Sequence, residues 1–233
     1  MAWQNSLESS LPVEQVLIEE SQRTFMSRVY RWMFAGLAIT GGMAFYTLTN
    51  EALLGFVMKS YWILLIAEFG LVLALSFMVR RLSGAAAALM FVAYAALNGL
   101  TLSGIFLAYR LGSVAQAFFV TAGVFGAMSV YGTVTKKDLS SWRSFLYMGL
   151  FGLLIAGVVN LFFHSGILSF VWSCVSVVVF TGLTAYDTQK LREMHQVGGE
   201  TGVAALPIVG ALRLYLDFIN LFLSLLNLFG KRR

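Results

Sequence analysis

From Val29 onward the sequence alternates long apolar runs with short polar breaks. Each run approaches the roughly 20 residues a helix needs to cross a hydrocarbon layer ~30 Å thick. The runs are Tyr30–Leu48, Tyr61–Val79, Gly84–Ala108, Val114–Val134, Phe145–Phe163, Ile167–Thr188 and Leu206–Phe229. They predict an all-α integral membrane protein, a seven-transmembrane-helix bundle over residues 29–230. The breaks are too short to hold another domain. No internal repeat is visible, so nothing points to the inverted-repeat architecture of many transporters.

Residues 1–28 are polar and carry Glu8, Glu14, Glu19 and Glu20. They lack the basic start and short apolar core of a cleavable leader, which predicts a mobile N-terminal tail. Lys231–Arg233 form a basic C-terminal tail.

Composition narrows the class further. Charged residues make up 12% of the chain, against about 25% in a soluble domain, which excludes a soluble fold. The net charge of +5 lies in small clusters between the apolar runs, which excludes nucleic acid as a partner and leaves the lipid bilayer. Ten Lys and Arg fall on the side that holds the N-terminus, among them Arg23, Arg80, Lys136 and Arg192; five fall on the other. The N-terminus is therefore expected in the cytoplasm and the C-terminus outside, in the inner membrane if the chain is bacterial. A re-entrant seventh segment would instead bring Lys231–Arg233 inside.

Two acids interrupt the last two runs. A charge at the bilayer centre costs about 2.5–3.5 kcal/mol, so Asp187 and Asp217 need a reason to be there. Arg213, Asp217, Asn220, Ser224 and Asn227 recur at spacings that line one helical face, and Ser173, Ser176 and Thr184 lie on Asp187's helix at similar spacing. The Ser, Thr and Asn residues read as interhelical glue. The carboxylates read as proton or cation handlers, with neutralisation of Asp217 by Arg213 as the plain alternative. Both fall toward the N-terminal side on antiparallel helices. Sequence leaves open whether they meet; a pair sharing one proton would make a pH switch.

Glu68 is a third intramembrane acid, functional or paired, without a local partner in sequence. Arg80 and Arg81 end the same run, as interface anchors or as partners reaching Asp187. Asn98 and Thr101 read as glue, and Gly123, Gly126, Ala127, Gly149, Gly152 and Ala156 as close-packing surfaces. Enzyme signatures are scarce. His164 and His195 flank the sixth run at opposite ends, no metal-ligand spacing occurs, and neither Ser103 nor Ser173 has a histidine to activate it. The glycines at 198, 199 and 202 follow a helix and form a loose connector, not a phosphate cradle. Cys174 is the single cysteine, so no intramolecular disulfide forms. No enzyme activity and no cofactor are expected.

Phe180–Leu191 (FTGLTAYDTQKL) and Leu212–Gly230 (LRLYLDFINLFLSLLNLFG) resemble the two signature stretches of the transmembrane Bax inhibitor motif family. Met128–Ser140 and Leu97–Phe106 are similar to its middle helices, in the form of its bacterial members. The resemblance implies a seventh helix enclosed by the other six and a pH-dependent calcium leak gated by an aspartate pair. Asp187 and Asp217 match that pair, for gating and as tentative calcium ligands along an ion pathway with Glu68 and Asn220. It further implies that Arg80 or Arg81 holds Asp187 in the closed state and that Glu68 matches a second-helix acid. Arg213 departs from the family pattern, and the connector from Glu193 to Leu206 is longer than in some relatives.

These readings converge on a membrane protein that passes calcium, and protons, under control of pH. Carboxylate oxygens suit a hard cation such as calcium. Two other classes remain: a regulator that binds a membrane protease or other membrane protein, and an intramembrane hydrolase, against which the lack of histidine ligands counts.

Overall fold

The computed structural model describes residues 2–78, 81–163, 166–198 and 205–233, with backbone alone described for 2–19, 161 and 195–198. These residues form α1 (Ala2–Thr49), α2 (Glu51–Phe77), α3 (Gly84–Ala108), α4 (Leu111–Val134), α5 (Arg143–Phe163), α6 (Gly166–Gly198) and α7 (Leu206–Phe229). A short 3-10 turn over Leu139–Trp142 precedes α5. Among the described residues the only β pairing is an isolated bridge between Tyr109 and Arg232. Helices α2 to α7 are each long and apolar enough to cross a membrane.

Local chemistry sets several helix starts. Asn50 caps α2, its side chain accepting from the Leu53 amide at 3.0 Å, so α2 begins ten residues before the predicted Tyr61. Ser83 caps α3 in the same way, accepting from Ala86 at 3.1 Å. Pro207 lies in the first turn of α7, where its missing N–H costs nothing. The polar N-terminal segment, read as a mobile tail, is helical back to Ala2 and continuous with the first apolar run. Helix α6 likewise passes its predicted end at Thr188 and runs to Gly198, which shortens the connector expected from Glu193. Its charged extension folds because Leu191 is buried beside Gly210 and Val29, while Lys190 pairs with Glu193 one turn on at 2.7 Å. Gly199 and Gly202 of the predicted connector lie outside the described residues.

The packing is uneven. Of the α7 span, 78% is buried, against 11–39% for the spans of α2 to α6. Helix α7 packs on α1, α3, α4 and α6 and more lightly on α2; α1 also packs on α3, and α6 on α4 and α5. Two glycines permit the closest approaches. A Cβ on Gly99 would come within 2.6 Å of the Thr40 carbonyl of α1, and one on Gly132 would run into the Ala185 carbonyl of α6. The small residues chosen from sequence behave differently. Gly149 faces Val179, whereas Gly123, Gly126 and Gly152 have open space where a side chain would go. Small-residue spacing alone does not tell a packed face from an open one.

Both ends of the bundle are tied. At one end Arg233 N donates to the Ala108 carbonyl (3.0 Å), Arg110 N to the Lys231 carbonyl (3.1 Å) and Lys231 N to Ser113 Oγ (3.1 Å). At the other, Leu139 N donates to Gln189 Oε1 (2.8 Å), and Arg192 donates to the Thr133 carbonyl and to Gln22 Oε1. Helix α7 starts beside Leu191 at the second end and finishes in the first. It traverses the whole bundle, and the re-entrant alternative is not the arrangement found.

Candidate functional site

The strongest site lies on α6, where it packs against α7, α4 and α5. From Gly182 to Thr188 every residue of α6 is buried, because the backbone contact at Gly132 draws α4 against this stretch. Asp187 is 7% exposed and Asp217, on α7, 4%. Asp187 Oδ1 and Asp217 Oδ2 have no hydrogen-bond partner among the described residues; neither do the buried hydroxyls of Ser129 on α4 and of Ser176 and Thr188 on α6. Buried polar oxygens normally find partners, so the two unsatisfied aspartates, with Thr188 next to Asp187 on α6, mark the site, whereas Ser176 lies about three turns away along α6.

Asp187, Asp217 and Arg213 interact electrostatically with one another. No ion pair within 4 Å joins Arg213 to either acid among the described residues. The guanidinium therefore acts at a distance, as a field, and not as a clamp. On the α5 side, Tyr147 meets Tyr186 edge-on, with centroids 6.4 Å apart at 89°, and the Arg143 guanidinium lies 5.8 Å from the Tyr147 ring. Tyr147 also feels the charges of Asp187 and Arg213.

Glu68 belongs to a separate cluster. Thr101 donates to its Oε1 at 2.8 Å and Asn98 to its Oε2 at 3.2 Å, so residues read as glue are the missing partners. Tyr215 on α7 donates to Asn98 Oδ1 at 3.1 Å, and its hydroxyl is 2.7 Å from Thr40 Oγ1 on α1. One polar chain thus crosses α2, α3, α7 and α1 through residues that sequence reading did not connect.

The remaining predicted residues separate. Asn220 donates to the Leu216 carbonyl of its own helix and is not drawn to the acids. Ser224 likewise bonds back to Asn220. Asn227 does bridge helices, donating to Ser173 at 2.7 Å and Ser169 at 3.0 Å, as glue would. Among the described residues no group of three or more His, Cys, Asp or Glu could hold a metal ion. His164 and His195 are not among the side chains described.

The family model described as inhibitor of apoptosis-promoting Bax1 matches residues 22–233. The chain belongs to this Bax inhibitor family. It is 45% identical over 217 residues to the inner membrane protein YbhL of Escherichia coli K12, covering 91% of this chain and 93% of the relative. An uncharacterized protein of Deinococcus radiodurans is 50% identical over 212 residues, covering 90% and 91%, and an uncharacterized membrane protein of Streptococcus pyogenes is 38% identical over 213, covering 89% and 92%. With its apolar helices, this makes the chain a multi-pass integral membrane protein.

In this member of the Bax inhibitor family, Arg80 lies outside the described residues. Arg81 is exposed beyond the end of α2 and makes no ion pair among them, and α2 and α6 do not pack together. The arginine whose charge acts on both aspartates here is Arg213. Tyr186 could have been found from sequence, since it adjoins Asp187 in the signature string. Tyr147 and Arg143 carry no such signal.

Proposed function

We propose that this Bax inhibitor family member is a pH-sensitive calcium leak, with Asp187 and Asp217 as its titrating gate. The observation that carries the reading is the pair of buried carboxylates on adjoining antiparallel helices, each with an oxygen lacking a partner. Carboxylates left unsatisfied in a bilayer are poor structural elements but good sites for a proton or a passing cation. Calcium takes six to eight oxygens. Two aspartates with nearby hydroxyls suit an ion in transit better than a resident one, so calcium is read as cargo.

In this reading α7 is the enclosed helix around which the others are arranged, and a proton shared between the two aspartates holds it against α6. Raising the pH removes that proton. Two bare carboxylates ~3–4 Å apart at an effective dielectric near 20 repel by several kcal/mol, which favours separation of the helices or entry of a cation. The charge bias of ten basic residues against five supports a cytoplasmic N-terminus, and in that orientation the aspartates would fall toward the cytoplasmic half.

The test is calcium flux into vesicles holding only the purified chain, measured across pH. Flux that rises with pH supports the leak. No flux at any pH would overturn it in favour of a regulator that acts by binding a membrane protease or other membrane protein.

A further inference from the structure

Helices α1 and α4 run side by side on α7 without packing on each other among the described residues. The cleft between them has a floor of aromatic rings, Phe218 of α7 meeting Phe118 and Phe125 of α4 edge-on at 5.5 Å each. Over the half nearer the N-terminal end lies an apolar groove of about 640 Å³ that includes Phe34, Ala122, Phe125, Gly126 and Phe218. At its upper end Tyr30, Thr133 and Val134 also line a second cavity of about 470 Å³. That cavity is of mixed character, with Gln22, Arg23, Ser27 and Arg192 beside Met26, Tyr30 and Val134, and no acid among its described lining residues.

The two spaces form one site with two chemistries. Val134 ends α4 and Tyr30 begins the apolar run of α1, so the second cavity lies where the membrane gives way to water. Arg28, Arg31, Lys136 and Lys137 add positive charge at the same end. Arg192 is held by the Thr133 carbonyl and Gln22, while Arg23 is exposed and makes no ion pair among the described residues. Guanidinium groups match phosphate oxygens in charge and in the geometry of their N–H groups. Glu20, Asp138 and Glu193 also lie at this end, but none of them lines the cavity and Glu193 is paired with Lys190, so an ammonium headgroup meets no carboxylate among the described lining residues. Below, an open apolar groove facing the bilayer suits a hydrocarbon chain.

We propose that the α1/α4 cleft is a binding site for an anionic phospholipid. Its phosphate lies against Arg23 and Arg192, and one acyl chain follows the groove over Phe34 and Phe218. Basic pockets between membrane helices recognise anionic headgroups by this combination. The lipid would brace α1 against α4 and lie directly over α7.

The test is native mass spectrometry of the full chain in detergent, titrated separately with dioleoyl phosphatidylglycerol, dioleoyl phosphatidylcholine and inorganic phosphate. The expected result is tighter binding of phosphatidylglycerol than of phosphatidylcholine. Arg23→Ala should weaken phosphatidylglycerol about fivefold without changing phosphatidylcholine, and Arg23→Lys should restore most of the preference. Gly126→Phe should reduce binding of both lipids by filling the groove. A Cβ there meets nothing within 4 Å, so the ring can extend into the groove without pushing on a neighbouring backbone, and an unchanged thermal melt in detergent would verify that the bundle is intact. Equal affinity for the two lipids overturns the proposal. So does unchanged phosphatidylglycerol binding in either Arg23→Ala or Gly126→Phe, and so does saturation by inorganic phosphate without lipid binding, which would mark an ion site only.

Discussion

The Tyr215 hydroxyl donates to Asn98 Oδ1 at 3.1 Å, two residues along α7 from Asp217. Through Asn98 it reaches Glu68, and through its own oxygen it reaches Thr40. The two acidic clusters therefore share one helix, although no hydrogen bond joins them directly among the described residues. Tyr215→Phe would leave buried partners on α3 and α1 short of one bond, at a cost of about 1–3 kcal/mol. Thermal unfolding in detergent should show that loss. A melting curve identical to that of the unaltered chain would mean that Asn98 and Thr40 re-pair without the tyrosine.

Gly132 has the Ala185 carbonyl where a side chain would begin. Gly132→Ala should push α4 off α6 and destabilise the bundle by about 1–3 kcal/mol. Gly126→Ala, one and a half turns earlier and facing open space, is the control and should be near neutral. Equal melting of the two variants would contradict the close helix contact.

Asp187→Asn and Asp217→Asn should alter flux or its pH dependence far more than stability, because each keeps side-chain volume while removing a buried charge. Arg213 acts on the pair through its field, and its positive charge favours the ionised aspartates. Arg213→Ser should therefore move the midpoint of the flux–pH curve upward. Unchanged flux in both aspartate variants, at matched amounts of protein, would sink the gate. A midpoint that stays or falls would remove Arg213 from the mechanism.

Outside the membrane, Asp138 caps the turn before α5, its Oδ1 accepting from the Ser140 amide at 2.8 Å. That bond holds its carboxyl below the usual range. A depressed folded pKa contributes stability above the unfolded value, and this contribution fades as pH falls through the folded value. Asp138→Ala should consequently melt below the unaltered chain at pH ~7, with the difference shrinking below pH ~4. A difference that grows on acidification would reverse the assignment.

Reporter fusions after Lys137 and after Arg233 should fall on opposite sides of the membrane. The two positions lie at opposite ends of the bundle, and Arg233 N is held by Ala108 on the far side from Leu139 and Gln189. If both fusions reported the cytoplasm, α7 would not cross.

Much of this architecture was legible in the sequence, because crossing a bilayer demands long apolar runs and leaves little freedom in where they lie. The bounds of α3 and α7 follow the apolar runs directly. Helix α6 runs past its apolar segment because Gln189-Lys190-Leu191-Arg192-Glu193, loop-like by charge, are all good helix formers. The two aspartates stood out as charges in apolar surroundings, a local signal. Glu68's partners did not, since Asn98 and Thr101 are 30 and 33 residues away and only packing brings them near. Tyr147 was hidden for the same reason, its role depending on how α5 turns toward α6.

The uneven packing bears on how the chain is made. Helices α1 to α3 pack on one another, α6 packs on α4 and on α5, and the two groups meet lightly through α3 on α4 and α1 on α6. The element that joins both groups along most of its length is α7, which is synthesised after the other six helices. Until it is synthesised, only those light contacts are available to hold the two groups together. The helix that completes them carries Arg213 and Asp217 one turn apart, so that acid enters with a counter-charge on its own helix and after Asp187 has been made.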